Sequence, residues 1–120
     1  ARSVSFLALL DTGNTLSDPI SGRPVLVAQR DCVAPLLPAG LLPEGLYDPA
    51  GFLAGLADES WRSRFRLLPY RAVGVAGGLL LARRVDEAQV GGRSRGASLV
   101  ALSPSPVSDG GAYTALVGVE

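Results

Sequence analysis

The sequence predicts a mostly β domain carrying one or two short helices. Three observations lead there. Apolar residues fall in short runs such as 6–10 and 77–82, the length of strands. The 120 residues include 15 glycines and 9 prolines, which punctuate the chain too often for long helices. The composition is 48% hydrophobic and 18% charged, so the chain carries enough apolar surface to fold as one domain over 1–120.

The elements follow in order. Residues 3–10 read as a strand that stops before Gly13. DPISGRP at 18–24 holds the Asp-Pro and Ser-Gly pairs of a turn, and PVLVA at 24–28 is an apolar, β-branched strand. Residues 29–48 are broken by proline and glycine and read as an irregular excursion. Asp48 followed by Pro49 is a helix cap and a first-turn proline, which starts a short helix ending near Leu56. RFRLLPYRAVG (64–74) and LLLARRVD (79–86) read as two strands joined by a glycine-rich tip, GVAGG. ASLVALS (97–103) is a buried strand, and the last segment has a cap at Ser108 or Asp109 that predicts one or two helical turns.

Absences narrow the chemistry. There is no histidine, so no Ser-His-Asp or Cys-His pair can be assembled. Cys32 is alone, which excludes an internal disulfide and a thiolate-rich zinc site, and a single thiol fits a reducing compartment. A metal-assisted hydrolase fails on ligands, because Asp11 and Asp18 alone are too few. The 11 acidic and 11 basic residues cancel, giving no global case for nucleic acid or anionic lipid. No apolar run reaches the ~18 residues of a membrane helix, and no signal peptide is visible. The chain opens on Ala1 rather than methionine and is expected to be a piece of something longer.

One short stretch carries chemistry. LALLDTGNTLSDP runs from Leu7 to Pro19 with Asp11-Thr12-Gly13 at its centre. An apolar strand leading into Asp-Thr-Gly is what half of an aspartic protease site requires. The strand would hold the carboxylate at the floor of a cleft. Thr12 offers a hydroxyl that can lock the loop, and Gly13 lets its amide approach the carboxylate. The competing reading is a solvated aspartate in a turn that ends a strand.

Further blocks turn this motif into a resemblance. Asp11-Thr12-Gly13-Asn14, Asp18-Pro19 with Gly22 and PVLV, WRSRFRLLPYRAVG at 61–74, GGLLLA at 77–82 and VALSPSPVSDGGAYTALV at 100–117 together resemble the sporulation sigma-E factor processing peptidases of endospore-forming bacteria. The resemblance covers nearly all 120 residues, and its most specific blocks are the Asp-Thr-Gly-Asn motif and RFRLLPYR. It implies a retropepsin-like closed β-barrel or sandwich. It also implies an aspartic protease domain facing the mother-cell cytoplasm, detached from an N-terminal membrane half. Its substrate would be the sigma-E precursor, whose N-terminal pro-segment is removed in response to a signalling protein made by the forespore.

The resemblance also implies the source of the second acid. Retroviral-type proteases form one site from two identical chains, so Asp11 would meet its symmetry mate in a homodimer, with Thr12 hydrogen-bonding across the axis. Two carboxylates ~3 Å apart share one proton. The ionised one takes a proton from water, and the protonated one donates to the peptide carbonyl. No metal, cofactor or covalent intermediate is needed. Asp109 and Asp18 read instead as a helix cap and a turn former, since neither follows an apolar strand.

Secondary features remain open between two readings each. Gly74, Val75, Ala76, Gly77 and Gly78 stand where a flap over the cleft would lie, or form a loose turn. LVALS at 99–103 stands where the family's apolar-apolar-Gly element would be, with Ala101 in the glycine's place, and a helix should follow. Arg62, Arg64 and Arg66 alternate and would share one face of a strand. With Arg71, Arg83 and Arg84 they make a surface for an acidic substrate segment, Arg64, Arg66 and Arg71 being the candidate contacts, or a charged edge. Trp61, Phe65 and Tyr70 read as core or interface rather than a base-stacking platform. The competing function class is a non-catalytic, retropepsin-like binding module.

Overall fold

The computed structural model describes residues 3–10, 16–37, 48–72, 75–108 and 110–118. Its strands are β1 (Ala8–Leu10), β2 (Leu26–Gln29), β3 (Phe65–Ala72), β4 (Val75–Val90), β5 (Arg93–Ser103) and β6 (Ala115–Val117). Two short helices, α1 (Pro49–Gly55) and α2 (Glu59–Arg62), and a 3₁₀ helix at Arg30–Leu36 complete it. The fold is mostly β, as the composition predicts. All six strands join one sheet in the order β1-β6-β2-β5-β4-β3. That order leaves β1 and β3 as edges, so the sheet is open and the expected closure into a barrel is not made. No helix among the described residues is long and apolar enough to cross a membrane.

Both faces of the sheet are buried at its centre, which explains the unbroken apolar runs of β2, β4 and β5. Side chains alternate between two clusters. Ala28, Phe65, Leu81, Val85, Val100, Leu102 and Ala115 face one side, under the 3₁₀ helix and α1. Val25, Leu68, Ala82, Leu99 and Ala101 face the other, under Leu16 and the segment that follows it. Successive residues such as Leu81 and Ala82 therefore enter different clusters, as a period of two demands.

Local signals placed several elements. Asp48 caps α1 by accepting a hydrogen bond from the Gly51 N–H at 3.1 Å, with Pro49 at the first helical position. The 18–24 turn is closed by Asp18 N–H to Arg23 O at 2.9 Å and Gly22 N–H to Asp18 O at 2.8 Å. Asp58 caps α2, which the sequence reading passed over, by accepting from Ser60 N–H at 3.0 Å.

Other expectations are corrected. The last segment forms β6 rather than a helix. Its apolar Ala115, Leu116 and Val117 pair parallel with β1 and antiparallel with β2, an outlet for backbone groups that an isolated turn of helix lacks. The first strand is three residues long rather than the whole of 3–10. β4 begins at Val75 and continues to Val90, so Val75–Gly78 belong to a strand rather than a loose tip, with Tyr70 opposite Gly78 and Ala72 opposite Val75. Gly74 and Asp109 lie outside the described residues. A second hairpin joins β4 to β5 through Gly91 and Gly92, whose φ of 59° and 80° suits the tight turns that match strand twist. That Gly-Gly pair was its signal in the sequence.

Candidate active site and an arginine-lined cavity

β1 delivers the chain to the candidate acid. Its three residues align parallel with β6, Leu10 opposite Val117, and Thr114 N–H donates to Leu7 O at 3.0 Å just before the pairing starts. β6 is in turn tied to β2, with Gln29 N–H donating to Thr114 O at 2.9 Å. Asp11 follows the last residue of β1, and Asp11, Thr12, Gly13 and Asn14 lie outside the described residues. The lead-in differs from the expected buried strand. Leu7, Leu9 and Leu10 are 68%, 41% and 59% exposed. β1 is an edge strand, with a strand partner on one side only among the described residues.

LVALS at 99–103 lies on β5, a central strand running parallel to β2, with Val27 opposite Ala101. Ala101 is fully buried between the second cluster's side chains, and residues 104–108 form bends rather than the expected helix. Cys32 donates to Gln29 O at 3.0 Å, and burial pushes its thiol above the ordinary range. A protonated, hydrogen-bonded thiol is a packing group and a poor nucleophile.

The arginines do not share one face. Arg62 belongs to α2 and donates to Leu56 O at 3.1 Å, Arg64 lies in the turn before β3 at 3.9 Å from Asp86, and only Arg66 is on the strand. The strand starts later than the alternation implied because α2 occupies Glu59–Arg62. Arg83 points the other way, stacked on the Trp61 ring at 5.7 Å with its Nε donating to Leu36 O. It pins the 3₁₀ helix to the sheet. Trp61 and Phe65 pack together at 6.3 Å and Phe65 is buried, the core role expected of them. Arg71 lies within β3.

Arg66 instead meets a partner 48 residues away. Its guanidinium stands 3.5 Å from the Asp18 carboxylate, which also accepts from Ile20 N–H at 2.9 Å and from the Ser21 hydroxyl at 3.2 Å. These groups border a cavity of about 270 Å³ between the 18–25 segment and strands β3, β4 and β5. Arg23, Arg66, Arg84 and Asp18 supply its charges, and Val25 and Leu99 its apolar floor. No sequence signal linked Asp18 to Arg66, because the turn chemistry of Asp-Pro accounted fully for the aspartate.

Partial burial raises the Asp18 pKa, but the Ile20 and Ser21 hydrogen bonds and the Arg66 charge outweigh it and leave the carboxyl below its ordinary value. A depressed carboxylate stabilises the fold at pH above the unfolded value and loses that contribution as pH falls through the folded one. Asp18→Asn should therefore cost about 0.5–1 kcal/mol at pH 7, a surface-level figure because Arg66 remains in contact with water. The cost should shrink below the carboxylate range. Urea unfolding of both chains at pH 7 and pH 3 checks it, and a cost that grows on acidification would refute the pairing.

The chain matches, over residues 1–120, the family model described as sporulation factor SpoIIGA. A sporulation sigma-E factor-processing peptidase of Priestia megaterium is 35% identical over 85 residues, 71% of this chain and 28% of that protein. A putative sporulation sigma factor-processing peptidase of Bacillus thuringiensis subsp. kurstaki is 32% identical over 97% of this chain and 74% of its own length. The sporulation sigma-E factor-processing peptidase of Bacillus subtilis is 29% identical over 98% of this chain and 40% of its own length. The chain thus spans about a quarter of the Priestia relative. No solved structure matches it.

Proposed function

The chain belongs to the sporulation factor SpoIIGA family, and from that premise we propose that it is the aspartic endopeptidase domain of a sigma-factor-processing protease, active as a homodimer. The observation that carries the reading is a single Asp-Thr-Gly placed directly after β1, a strand held by parallel pairing to β6. Asp11 of each chain supplies one member of a carboxylate pair. The ionised member takes a proton from water, and the resulting nucleophile attacks the peptide carbonyl while the other member protonates its oxygen. The two share a proton because both cannot ionise at close range. Thr12 locks the loops across the dimer axis, with Gly13 and Asn14 supporting them.

The exposed edge supports the dimer. Leu7, Leu9 and Leu10 leave apolar surface beside the motif that a second copy would cover. The substrate is the sigma-E precursor, after the names of the relatives from Priestia megaterium and Bacillus subtilis. Arg64, Arg66 and Arg71 are its candidate contacts, and the β3–β4 hairpin, with residues 74–78, serves as the flap. In the full-length protein a membrane half confines two copies side by side and receives the forespore signal, with this domain in the mother-cell cytoplasm.

The test follows from counting acids. If one chain holds half a site, specific activity on the sigma-E precursor should rise with protein concentration. Excess Asp11→Asn chain should poison wild-type chain through mixed dimers. Sedimentation beside a mixing titration reads both. Full specific activity in a monomeric sample, or no poisoning where mixed dimers are present, would place the second acid within one chain.

A further inference from the structure

Asp11 follows a strand whose hold on the sheet is indirect. β1 pairs with β6, and β6 pairs with β2 through Ala115 opposite Ala28 and Leu116 opposite Val27. Among the described residues the β2 pairing ends at Leu116, whereas the β1 pairing continues to Val117 opposite Leu10. One residue further along each chain segment stand Gly118 and Asp11. The end of β6 nearest the motif has therefore outrun its ladder to the sheet's interior.

A side chain from β5 reaches that end. The Arg95 guanidinium donates to Gly118 O at 3.2 Å, and Gly118 is buried. A buried carbonyl needs a donor, and a charged donor makes the stronger bond. Backbone geometry aims Arg95 there. On the β4–β5 ladder Gln89 stands opposite Ser94 and Ala88 opposite Gly96, which leaves Arg95 as the extra residue of a β-bulge. Gly96 takes a φ of 68° beside it, a conformation that suits glycine. The Ser94 hydroxyl accepts from Gly96 N–H at 3.1 Å and donates to the Glu87 carboxylate at 2.8 Å, while Arg23 donates to Arg95 O. The bulge is thus bonded to β4 on one side and to the segment before β2 on the other. Bulges of this kind re-aim a side chain out of the strand's alternation.

We propose that Arg95 is a positioning residue for the catalytic segment. By holding the Gly118 carbonyl it fixes the end of β6, and β6 fixes the point at which β1 delivers Asp11. The proposal deepens the protease reading and rests on it for the meaning of Asp11. Arg95 acts through β6 and not on the substrate, so its loss should lower kcat far more than it raises KM.

Two readouts on one set of variants test it. Arg95→Met and Arg95→Gln both remove the reach to Gly118, and either one that folds by circular dichroism serves. Arg95→Lys keeps a charged donor, and Arg93→Gln removes an exposed arginine at the β4–β5 turn as the control. In the ¹⁵N-labelled chain, losing Arg95 should displace the amide resonances of Asp11 and Gly118, with Arg95→Lys closer to wild type and Arg93→Gln unchanged. On the sigma-E precursor, at a concentration where sedimentation shows dimer, kcat should fall about ten- to hundredfold with KM within about twofold. Arg95→Lys should recover part of that loss. An Asp11 amide that stays in place without Arg95 overturns the proposal, as does a displaced Asp11 with unchanged kcat. A loss carried by KM alone also overturns it, since that would make Arg95 a binding group. A wild-type dimer that cleaves nothing, while the Asp11 amide still answers to Arg95, counts against the protease reading and supports the placement.

Discussion

Asp11→Asn is expected to abolish cleavage of the sigma-E precursor while leaving the chain folded. The amide has nearly the shape of the carboxylate, but it cannot accept a proton from water or deliver an acid proton to the carbonyl oxygen. Each of those roles is worth ~10²–10⁴ in rate, and a mutant dimer would lose both. The strand before it keeps its hold, because β1 pairs with β6 through backbone groups. Precursor turnover by the two chains at equal concentration, beside their circular dichroism, decides the matter. A folded variant that still processes the precursor would leave the non-catalytic binding module as the reading of this domain.

The second large effect is on stability. Leu81 lies at the middle of β4, 1% exposed, with Leu67 opposite it and cluster partners on β5 and the 3₁₀ helix. Leu81→Ala should destabilise the chain by about 2–5 kcal/mol, combining the lost transfer energy with the cavity that remains. Leu79, two residues earlier on the same strand, is 44% exposed. Its replacement by alanine should cost at most about 1 kcal/mol, since much of the side chain already meets water. Urea midpoints with unchanged slopes measure both. Comparable losses at the two positions would mean that Leu81 is not the buried member of the pair.

Much of the local structure was legible. Asp48-Pro49 specified the start of α1 because cap and proline act within one turn of themselves, and the same holds for the Asp18 turn. The apolar runs at 24–28 and 97–103 marked β2 and β5 for a related reason, being unbroken where both sheet faces are buried. Legibility failed where pairing overrides propensity. Gly78 read as part of a flexible tip, yet β3 places Tyr70 opposite it, and pairing there outweighs the glycine's entropy. Ala115–Val117 read as the end of a helix because nothing nearby in sequence reveals that two strands await it.

The candidate site divides along the same line. The Asp-Thr-Gly motif and the family resemblance were properties of consecutive residues, and the match over residues 1–120 rests on sequence alone. What only the tertiary structure decided was the company those residues keep. It made β1 an edge strand with exposed leucines, its second side having no partner among the described residues. It split the run of arginines, because α2 interrupts their alternation, and sent Arg83 to Trp61 and Arg66 to Asp18. Contacts across 48 residues depend on strand order and register, which arise from the whole sheet's burial of two faces at once. No local pattern encodes them.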